Sequence, residues 1–307
     1  MSTPLVTINL VVFNGKKYIR HCLEAVKNQT YPNLEVNVFD NGSTDGTKEV
    51  INTWKLSFQV ETKFPLNLIE SSKNLGTWPG QEKALEYSKG KYIVALSVDV
   101  LLEPQAVEKA VSVLEKDETI GALQAKIYQY DLSQGSTFLQ IQGRTFPKII
   151  DTIGFQVFRS RKVINAGHGE EDRGQYDKEK EIFAVEGAAP ILRRSALEEL
   201  RVLGEIADRE MFWYGDDLDL AWRMRLFGWK QVYSPEVVAY HDRSTTKGMS
   251  RKWTDYFRRI GDRKKIPILK KRLDWRNKRL ARIKNDYWPN MARDILPIAW
   301  REIRELG

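Results

Sequence analysis

The sequence predicts an α/β fold in which helices cover both faces of a mostly parallel sheet. Two apolar, β-branched runs, at residues 5–13 and 92–98, are typical of strands buried on both faces. Segments with helical spacing separate such runs, so that strand, helix and strand alternate within the first 120 residues. The chain has 307 residues, 42% of them hydrophobic, which is enough to bury a large core.

Each element of the first 120 residues follows from a local pattern. The first strand stops at the turn-forming pair Asn14-Gly15, and the helix after it stops before Tyr31-Pro32. Proline is favoured in a first helical turn, so another helix is expected to begin at Pro104. In chain order we predict strands at 5–13, 34–39, 66–70 and 92–98, and helices at 18–26, 47–54, 81–88 and 104–114.

Beyond residue 120 the pattern weakens. Residues 131–180 are polar and punctuated by glycine, and a stretch of this length is typical of a functional insertion or binding loop. Ordered structure is predicted again at 182–192, followed by helices from 195 and at 218–227, and strands at 230–233 and 237–241.

The positive charge of the chain is confined to its C-terminal end. Residues 247–307 hold 19 Lys or Arg and 7 Asp or Glu, whereas the first 246 residues hold 30 and 34. We therefore divide the chain into a near-neutral body, 1–246, and a basic tail, 247–307. Three amphipathic helical pieces are predicted in the tail, with apolar stripes at Trp253, Tyr256, Phe257 and Ile260, at Leu269, Leu273, Leu280 and Ile283, and at Trp288, Met291, Ile295 and Ala299.

Tryptophan and basic residues alternate in this tail, a composition that suits an anionic membrane surface. We expect peripheral docking there. The alternatives are a solvated helical cap packed on the body, or a surface covered by a second subunit in a homo-oligomer. Charge without a recognisable RNA or DNA module is thin support for nucleic-acid binding, so no nucleic-acid partner is expected.

The cysteine count, the first residues and the apolar runs argue against a disulfide-bonded secreted protein and against a membrane-spanning one. A single cysteine, Cys22, cannot form an intramolecular disulfide, and the first residues lack a basic leader with a cleavage site. No apolar run approaches the length of a membrane-spanning helix. We expect a soluble, cytoplasmic protein. Neither a P-loop nor a Gly-x-Gly-x-x-Gly follows the first strand, so a nucleotide would be held in another way.

Two aspartates lie just past predicted strands, where ligands bind in sheets of this kind. Asp40 could accept the imino N–H of a pyrimidine base, but on local sequence alone the plainer interpretation is that Asp40 and Ser43 shape a turn and cap the next helix. Asp99 could hold a divalent cation that neutralises a diphosphate. Its alternative role as the N-cap of the helix near Pro104 is weak, because it lies several residues too early.

A third acidic motif begins a predicted helix. Asp216, Asp217 and Asp219 exceed what the helix dipole needs, and repulsion between adjacent carboxylates can raise a pKa towards the range of a general base. His241 ends a strand 24 residues after Asp217. A lone histidine at such a place is more often structural than a ligand.

Taken in order, these motifs resemble those of family 2 inverting glycosyltransferases with a GT-A fold, and among them the rhamnosyltransferase-like enzymes. The resemblance covers roughly residues 5–246. The matching segments are Val11–Asn14, Val38–Thr47, Asn74–Gly76, Ser97–Asp99, Glu186–Ala189 with Arg193-Arg194, Tyr214–Leu220 and Tyr240-His241.

The resemblance implies a nucleotide-sugar-binding half, 1–120, and an acceptor half, 121–246. Asp217 would be the general base, with Asp216 its acidic neighbour, and Asp99 and His241 would bind Mn²⁺ or Mg²⁺. Trp213 and Tyr214 would form the acceptor platform. The donor would be contacted by Phe13, Asn14, Asp40, Asn41, Asn74, Gly76, Ser97, Val98, Gly187 and Ala188.

One departure concerns the metal motif. The family commonly has Asp-x-Asp there, and the first Asp is Ser97 in this chain. Because Ser is a weaker ligand, we expect a metal site that relies mainly on Asp99 and His241, without strict metal dependence. The expected function is transfer of a sugar from a nucleotide-diphosphate donor, such as dTDP-rhamnose, to a glycan or polyprenyl-linked acceptor. The alternative is a catalytically inactive GT-A protein that binds a membrane or polyanion through its tail.

Overall fold

The computed structural model describes residues 3–62, 64–132, 148–243 and 267–306. Part of the predicted insertion, 133–147, and the stripe from Trp253 to Ile260 lie outside these ranges. The strands are β1 Val6–Val12, β2 Leu34–Asp40, β3 Leu66–Glu70, β4 Tyr92–Ser97, β5 Val100–Leu102, β6 Ile120–Gln129, β7 Ile150–Thr152, β8 Phe155–Val157, β9 Val163–Asn165, β10 Lys180–Glu181, β11 Ile191–Arg193 and β12 Lys230–His241. The helices are α1 Ile19–Lys27, α2 Thr47–Thr62, α3 Thr77–Leu85, α4 Ala106–Lys116, α5 Arg194–Glu199, α6 Asp216–Leu226, α7 Ile268–Asn285, α8 Trp288–Arg293 and α9 Ile295–Leu306.

A mostly parallel sheet forms the centre of the body, as predicted. Its strand order is β10-β12-β6-β11-β4-β1-β2-β3, with β5 paired to β12 and β7 to β6. Strands β12, β6, β4, β1, β2 and β3 point the same way, because β11 is antiparallel to both of its neighbours. The carboxyl ends of these six strands therefore share one edge.

Helices cover both faces of the sheet. Strand β1 is buried at six of its seven positions and β2 at all seven, so their side chains meet apolar neighbours on either side. Helices α1, α2 and α4 pack on one face through residues such as Leu23, Phe58 and Leu114. Helices α3, α5 and α6 pack on the other through Leu85, Leu197 and Leu220. The doubly wound arrangement is confirmed.

Several boundaries differ from the prediction. Helix α3 begins at Thr77 rather than residue 81, and α2 runs to Thr62. Within 182–192 only Ile191 onwards is strand. Strand β6 was not predicted, because polar Gln124 and Lys126 interrupt its apolar pattern. Both are buried, and the Lys126 ammonium is neutralised by Asp172, 3.0 Å away.

The C-terminal helices pack on the body. Helix α7 lies against α6 and buries every fourth residue, namely Leu273, Asn277, Ala281 and Asn285. The predicted stripe is only partly correct for this contact, since Leu269 and Ile283 are exposed. No described helix is long and apolar enough to cross a bilayer.

A buried ion cluster fixes the far end of α7. Arg161, in the β8–β9 hairpin, contacts Asp286 at 2.6 Å and Asp294 at 2.9 Å. The three charges are nearly inaccessible to water, so each depends on the others for neutralisation. The division of the chain at residue 246 stays a prediction, since residues 244–266 lie outside the described ranges.

Candidate functional site

The predicted site residues converge on the carboxyl edge of the sheet because of strand register. Val12 of β1 pairs with Asp40 of β2, and Val11 pairs with Ser97 of β4. His241 at the end of β12 pairs with Val100, which places it beside Asp99. Residues far apart in the chain thus lie along one edge, as expected for a site of this fold.

The loops after β1 and β2 are joined by hydrogen bonds. The Asn14 N–H donates to Ser43 Oγ (2.9 Å), and the Thr44 N–H donates to Asn14 Oδ1 (2.8 Å). Asn14 has φ of 50°, a conformation that Asn tolerates better than most residues. Buried Asp40 accepts from the Ser43 N–H, so the turn-shaping role is present. Phe13 remains 46% exposed above this edge.

Asn41 connects this edge to the loop before α3. Its Nδ2 donates to Asn74 Oδ1 (3.0 Å) and to the Gly76 carbonyl (2.9 Å), and its Oδ1 accepts from the Leu75 N–H. Gly76 has φ of 99°, and a Cβ there would lie 2.3 Å from the Phe212 carbonyl oxygen. Only glycine fits this close approach.

Asp99 and His241 face one another, as the metal prediction requires. Asp99 Oδ2 lies 3.3 Å from His241 Nε2, while His241 Nδ1 lies 2.9 Å from Asp151 Oδ2. Burial lowers the pKa of His241, but the Asp99 and Asp151 carboxylates outweigh it and raise that pKa to about 10. Arg243 completes the cluster, with contacts to Asp151 (2.8 Å) and Glu186 (2.7 Å).

The donor chemistry of this pair fits a divalent cation. A buried carboxylate that holds Nδ1 and leaves Nε2 facing a second carboxylate is a common arrangement around metal-binding histidines. The described ranges contain no cluster of three or more metal-ligating side chains. Asp99 and His241 would therefore supply two ligands. The proton on His241 competes with a metal for Nε2.

Ser97 and Val98 lie between this pair and the segment from Glu186 to Ala188, which contains the predicted donor contacts Gly187 and Ala188. The Ser97 N–H donates to the Ala188 carbonyl (2.9 Å), and Val98 packs on the apolar core beside Gly15. The Ala188 N–H in turn donates to Glu186 Oε2. These bonds place the Glu186–Ala188 segment against the end of β4.

Asp217 adjoins the same segment. The Gly187 N–H donates to Asp217 Oδ2 (3.0 Å), and the Leu218 N–H donates to Asp217 Oδ1 (2.8 Å). A Cβ on Gly187 would lie 3.0 Å from Asp217 Cβ, so glycine permits this contact. Burial and then the charge of Glu186 raise the pKa of Asp217, which favours proton uptake.

Asp216 is a second carboxyl with a raised pKa. Burial is the larger cause and the neighbouring Asp217 the next. Its Oδ2 is buried and has no hydrogen-bond partner among the described residues. A desolvated carboxyl beside another carboxylate is more stable when protonated.

The loop before α6 carries the predicted acceptor platform. Trp213 is 39% exposed, and its ring lies 4.3 Å from that of Tyr214. Tyr214 (φ 62°) and Gly215 (φ 79°) both have left-handed backbone conformations. Asn277 of α7 holds this loop, since its Nδ2 donates to the carbonyls of Trp213 (3.0 Å) and Tyr214 (2.7 Å).

Sequence patterns did not identify the residues that support this site. Asn277 and Asn285 lie among the polar residues of α7, although Asn is a weak helix former and two of them eight residues apart suggest specific bonds. Asp151 lies within the predicted insertion and belongs to no motif. Arg243 lies two positions after His241, and that spacing is the only available signal.

The comparisons agree with this architecture. The family model described as Glycosyl transferase family 2 matches residues 7–201, a range that ends before Asp217. Chondroitin synthase from Pasteurella multocida is 37% identical over 120 residues, 39% of this chain and 12% of the synthase. Glycosyltransferase GlyG from Streptococcus pneumoniae is 25% identical over 162 residues, 52% of this chain and 51% of GlyG. The chain thus spans about half or less of these curated relatives.

A solved structure shows the same fold. Mannosyltransferase PcManGT from Pyrobaculum calidifontis, in complex with GDP-Man and Mn²⁺, superposes with a TM-score of 0.54. It is 20% identical, and the match covers 84% of this chain and 61% of that one. The curled, mostly parallel sheet flanked by helices is the α/β GT-A fold. With the family model matching more than half of its residues, the chain belongs to glycosyltransferase family 2.

Proposed function

We propose that this glycosyltransferase inverts the anomeric centre of a sugar that it moves from a nucleoside-diphosphate donor to a hydroxyl of a glycan or lipid-linked glycan. The position of Asp217 carries this proposal. Its carboxylate accepts from the N–H of Gly187, a predicted donor contact, and lies three residues after Tyr214 of the predicted acceptor platform. Direct displacement needs one base, and a carboxylate at that position suits this role.

In the proposed reaction Asp217 accepts the proton of an acceptor hydroxyl. The hydroxyl oxygen forms a bond to the anomeric carbon as the bond from that carbon to the diphosphate breaks, and the nucleoside diphosphate leaves. Burial and Glu186 raise the pKa of Asp217 and so increase its basicity. When Asp216 is protonated it is neutral, so it adds no second negative charge beside the base Asp217.

Asp99 and His241 would hold a divalent cation, which supplies Lewis-acid stabilisation of the negative charge on the diphosphate. Residues after β1 and β2, at the carboxyl edge of the sheet, would orient the donor, with buried Asp40 facing the base of a pyrimidine nucleotide and Phe13 covering it. The rhamnosyltransferase-like subgroup and a dTDP-rhamnose donor belong to this proposal. A thermal-shift screen of nucleoside diphosphates and nucleotide sugars, with and without Mn²⁺, would test them.

Asp217→Asn tests the reaction itself. We expect turnover to fall by roughly 100-fold or more while the donor binds unchanged, because the amide cannot accept the hydroxyl proton. Asp117→Asn is the matched control, since this partly exposed carboxylate lies in the loop between α4 and β6, away from the carboxyl edge. Wild-type turnover in Asp217→Asn would refute the assigned base.

The inactive alternative has a separate test. A protein that only kept the fold should show no donor hydrolysis with either Mn²⁺ or Mg²⁺.

The packing of α9 supports an additional membrane contact for the active enzyme. Its inner side carries Arg301 and Glu302, bonded to the body and to α7, while Leu296, Trp300 and Ile303 are 80%, 65% and 64% exposed.

We assign this outward stripe to the cytoplasmic face of a membrane, which also holds polyprenyl-linked acceptors, with 247–307 as the docking tail of a catalytic body, 1–246. Flotation with anionic vesicles tests it. Glutamine at Leu296, Trp300 and Ile303 together should abolish flotation, since the apolar side chains provide the insertion energy. Leu226→Gln, an exposed position on α6, is the control. Unchanged flotation of the triple variant would refute the membrane assignment. Cross-linking that shows the stripe to be buried between two copies of the chain would also refute it.

A further inference from the structure

Helix α7 brings a row of charged side chains to the acceptor side of Asp217. Lys270, Asp274 and Lys278 are spaced four residues apart and so share one face of the helix. Lys270 Nζ lies 4.8 Å from the centroid of the Tyr214 ring, which belongs to the predicted acceptor platform. Lys278 Nζ contacts Asp274 at 2.8 Å.

The place of this row relative to the base is fixed by buried contacts. Asn277, next to Lys278, is fully buried and bonds to the carbonyls of Trp213 and Tyr214. A Cβ on Gly215 would lie 3.0 Å from Asn277 Cβ and 3.3 Å from the Lys278 nitrogen. The backbone of α7 therefore touches the loop that leads directly into Asp216 and Asp217.

Lys270 and Lys278 bring two positive charges to the side of the Tyr214-Gly215 loop, with Asp274 between them on the helix. Lys270 is half-buried, and burial, then Arg243, and also Lys278 lower its pKa to about 8, although Asp274 opposes this. Lys278 partly offsets the rise in the pKa of Asp217 that burial and Glu186 cause, so its charge reaches the base. A carboxylate or phosphate placed there would gain from these cations.

The row differs in position from the expected donor site. Asp99 and His241 lie at the ends of β4 and β12, and Arg243 is bonded to Asp151 and Glu186 on that side. Lys270 and Lys278 approach from α7, over Tyr214. The row is thus carried by a different element from the expected metal pair, although the charge of Arg243 reaches Lys270.

We infer that Lys270 and Lys278 form a subsite for an anionic group of the acceptor, either the carboxylate of a uronate or a phosphate, beside the hydroxyl that Asp217 deprotonates. The inference rests on the proposed function and names its acceptor class. A neutral glycan has no group that gains comparably from this field, so the subsite selects acidic acceptors.

Direct binding of small probes tests the subsite without turnover. The enzyme is first saturated with Mn²⁺ and the nucleoside diphosphate that binds it best, so that anions are kept from the donor site. Methyl β-glucuronide and glucose 6-phosphate are then compared with methyl β-glucoside by ligand-observed NMR titration. The variants are Lys270→Met and Lys278→Met. Lys271→Met, which removes the same charge from an exposed neighbouring position, is the control.

We expect wild type to prefer at least one anionic probe to the glucoside. That preference should fall roughly tenfold in each of the two variants and remain in Lys271→Met, with nucleoside-diphosphate affinity unchanged. Whichever anionic probe binds more tightly assigns the carboxylate or the phosphate. Equal affinity for charged and neutral probes, an equal loss in Lys271→Met, or no saturable binding of either anion would overturn the inference. Failure of the proposed function is separate, because it would appear as undiminished turnover in Asp217→Asn.

Discussion

Asn277 is the residue of the C-terminal helices whose replacement should affect the site most. Its side-chain amide donates to two backbone carbonyls, those of Trp213 and Tyr214, at 3.0 and 2.7 Å. Asn277→Ala removes both donors and leaves two carbonyls without their partner in a water-poor contact. A stranded polar group costs about 1–3 kcal/mol, so we expect a loss of about 2–4 kcal/mol in the free energy of unfolding.

The same change should reduce catalysis by more than the lost stability explains. Tyr214 has φ of 62°, a conformation that costs about 1–3 kcal/mol and persists only when its surroundings hold it. Without Asn277 the loop can relax, and Asp217, three residues later, would move with it. A displacement of about 1 Å at a reacting group can lower kcat about 100-fold.

Urea unfolding and steady-state kinetics measure the two effects. Asn285→Ala is the matched control, because Asn285 lies on the same face of α7 and donates to Asp219 Oδ1 (2.7 Å), away from the strained loop. It should lose stability but retain most of kcat. Asn277→Asp keeps the shape and cannot donate, so it should behave like Asn277→Ala or worse. Equal kcat losses in Asn285→Ala and Asn277→Ala would refute the positioning role.

Two further predictions concern carboxylates. Burial and Asp217 raise the folded-state pKa of Asp216, so the protein loses stability as pH rises from the unfolded-state pKa through the folded one. Asp216→Asn should therefore have a free energy of unfolding about 1–3 kcal/mol higher than wild type at pH 8 and nearly the same as wild type at pH 4. Urea unfolding at both pH values measures this. An identical difference in unfolding free energy at the two pH values would contradict the prediction. Asp151→Asn should weaken Mn²⁺ binding about 10–100-fold, because Asp151 orients His241. Electron paramagnetic resonance of free Mn²⁺ measures it. Asp172→Asn, which loses contacts to Lys126 and Tyr128 instead, should bind Mn²⁺ like wild type.

The sequence was informative where function depends on local pattern. Apolar runs locate strands, and parallel strands place their carboxyl ends on one edge, so the positions of Asp40, Ser97 and His241 at strand ends suffice to group them. The prediction failed for β6, because Lys126 looks out of place in a buried strand until Asp172, 46 residues later, is seen beside it. An ion pair between residues so far apart in the chain leaves no periodic signal in the sequence.

The residues that hold the site residues in place could not be predicted from the sequence either. Asp151 accepts from His241 and Arg243, residues about 90 positions away, and nothing near it in sequence marks that role. On α7 the stripe at Leu269, Leu273, Leu280 and Ile283 suggested the packed face, yet only its Leu273 is buried. The rest of the packed face is Ala281 with Asn277 and Asn285. A hydrophobic pattern cannot identify a contact made by amide hydrogen bonds.

These contacts change how the C-terminal region should be probed. The loop at 212–215 is held from two sides, by the Gly76 turn against Phe212 and by Asn277 against Trp213 and Tyr214. Deleting the whole region would remove Asn277 and Lys270 together with the apolar stripe of α9. Loss of membrane binding, loss of loop support and loss of acceptor binding would then occur in one variant. Because the stripe faces away from the body, substitutions on α9 alone can test docking while the loop and its lysines stay intact.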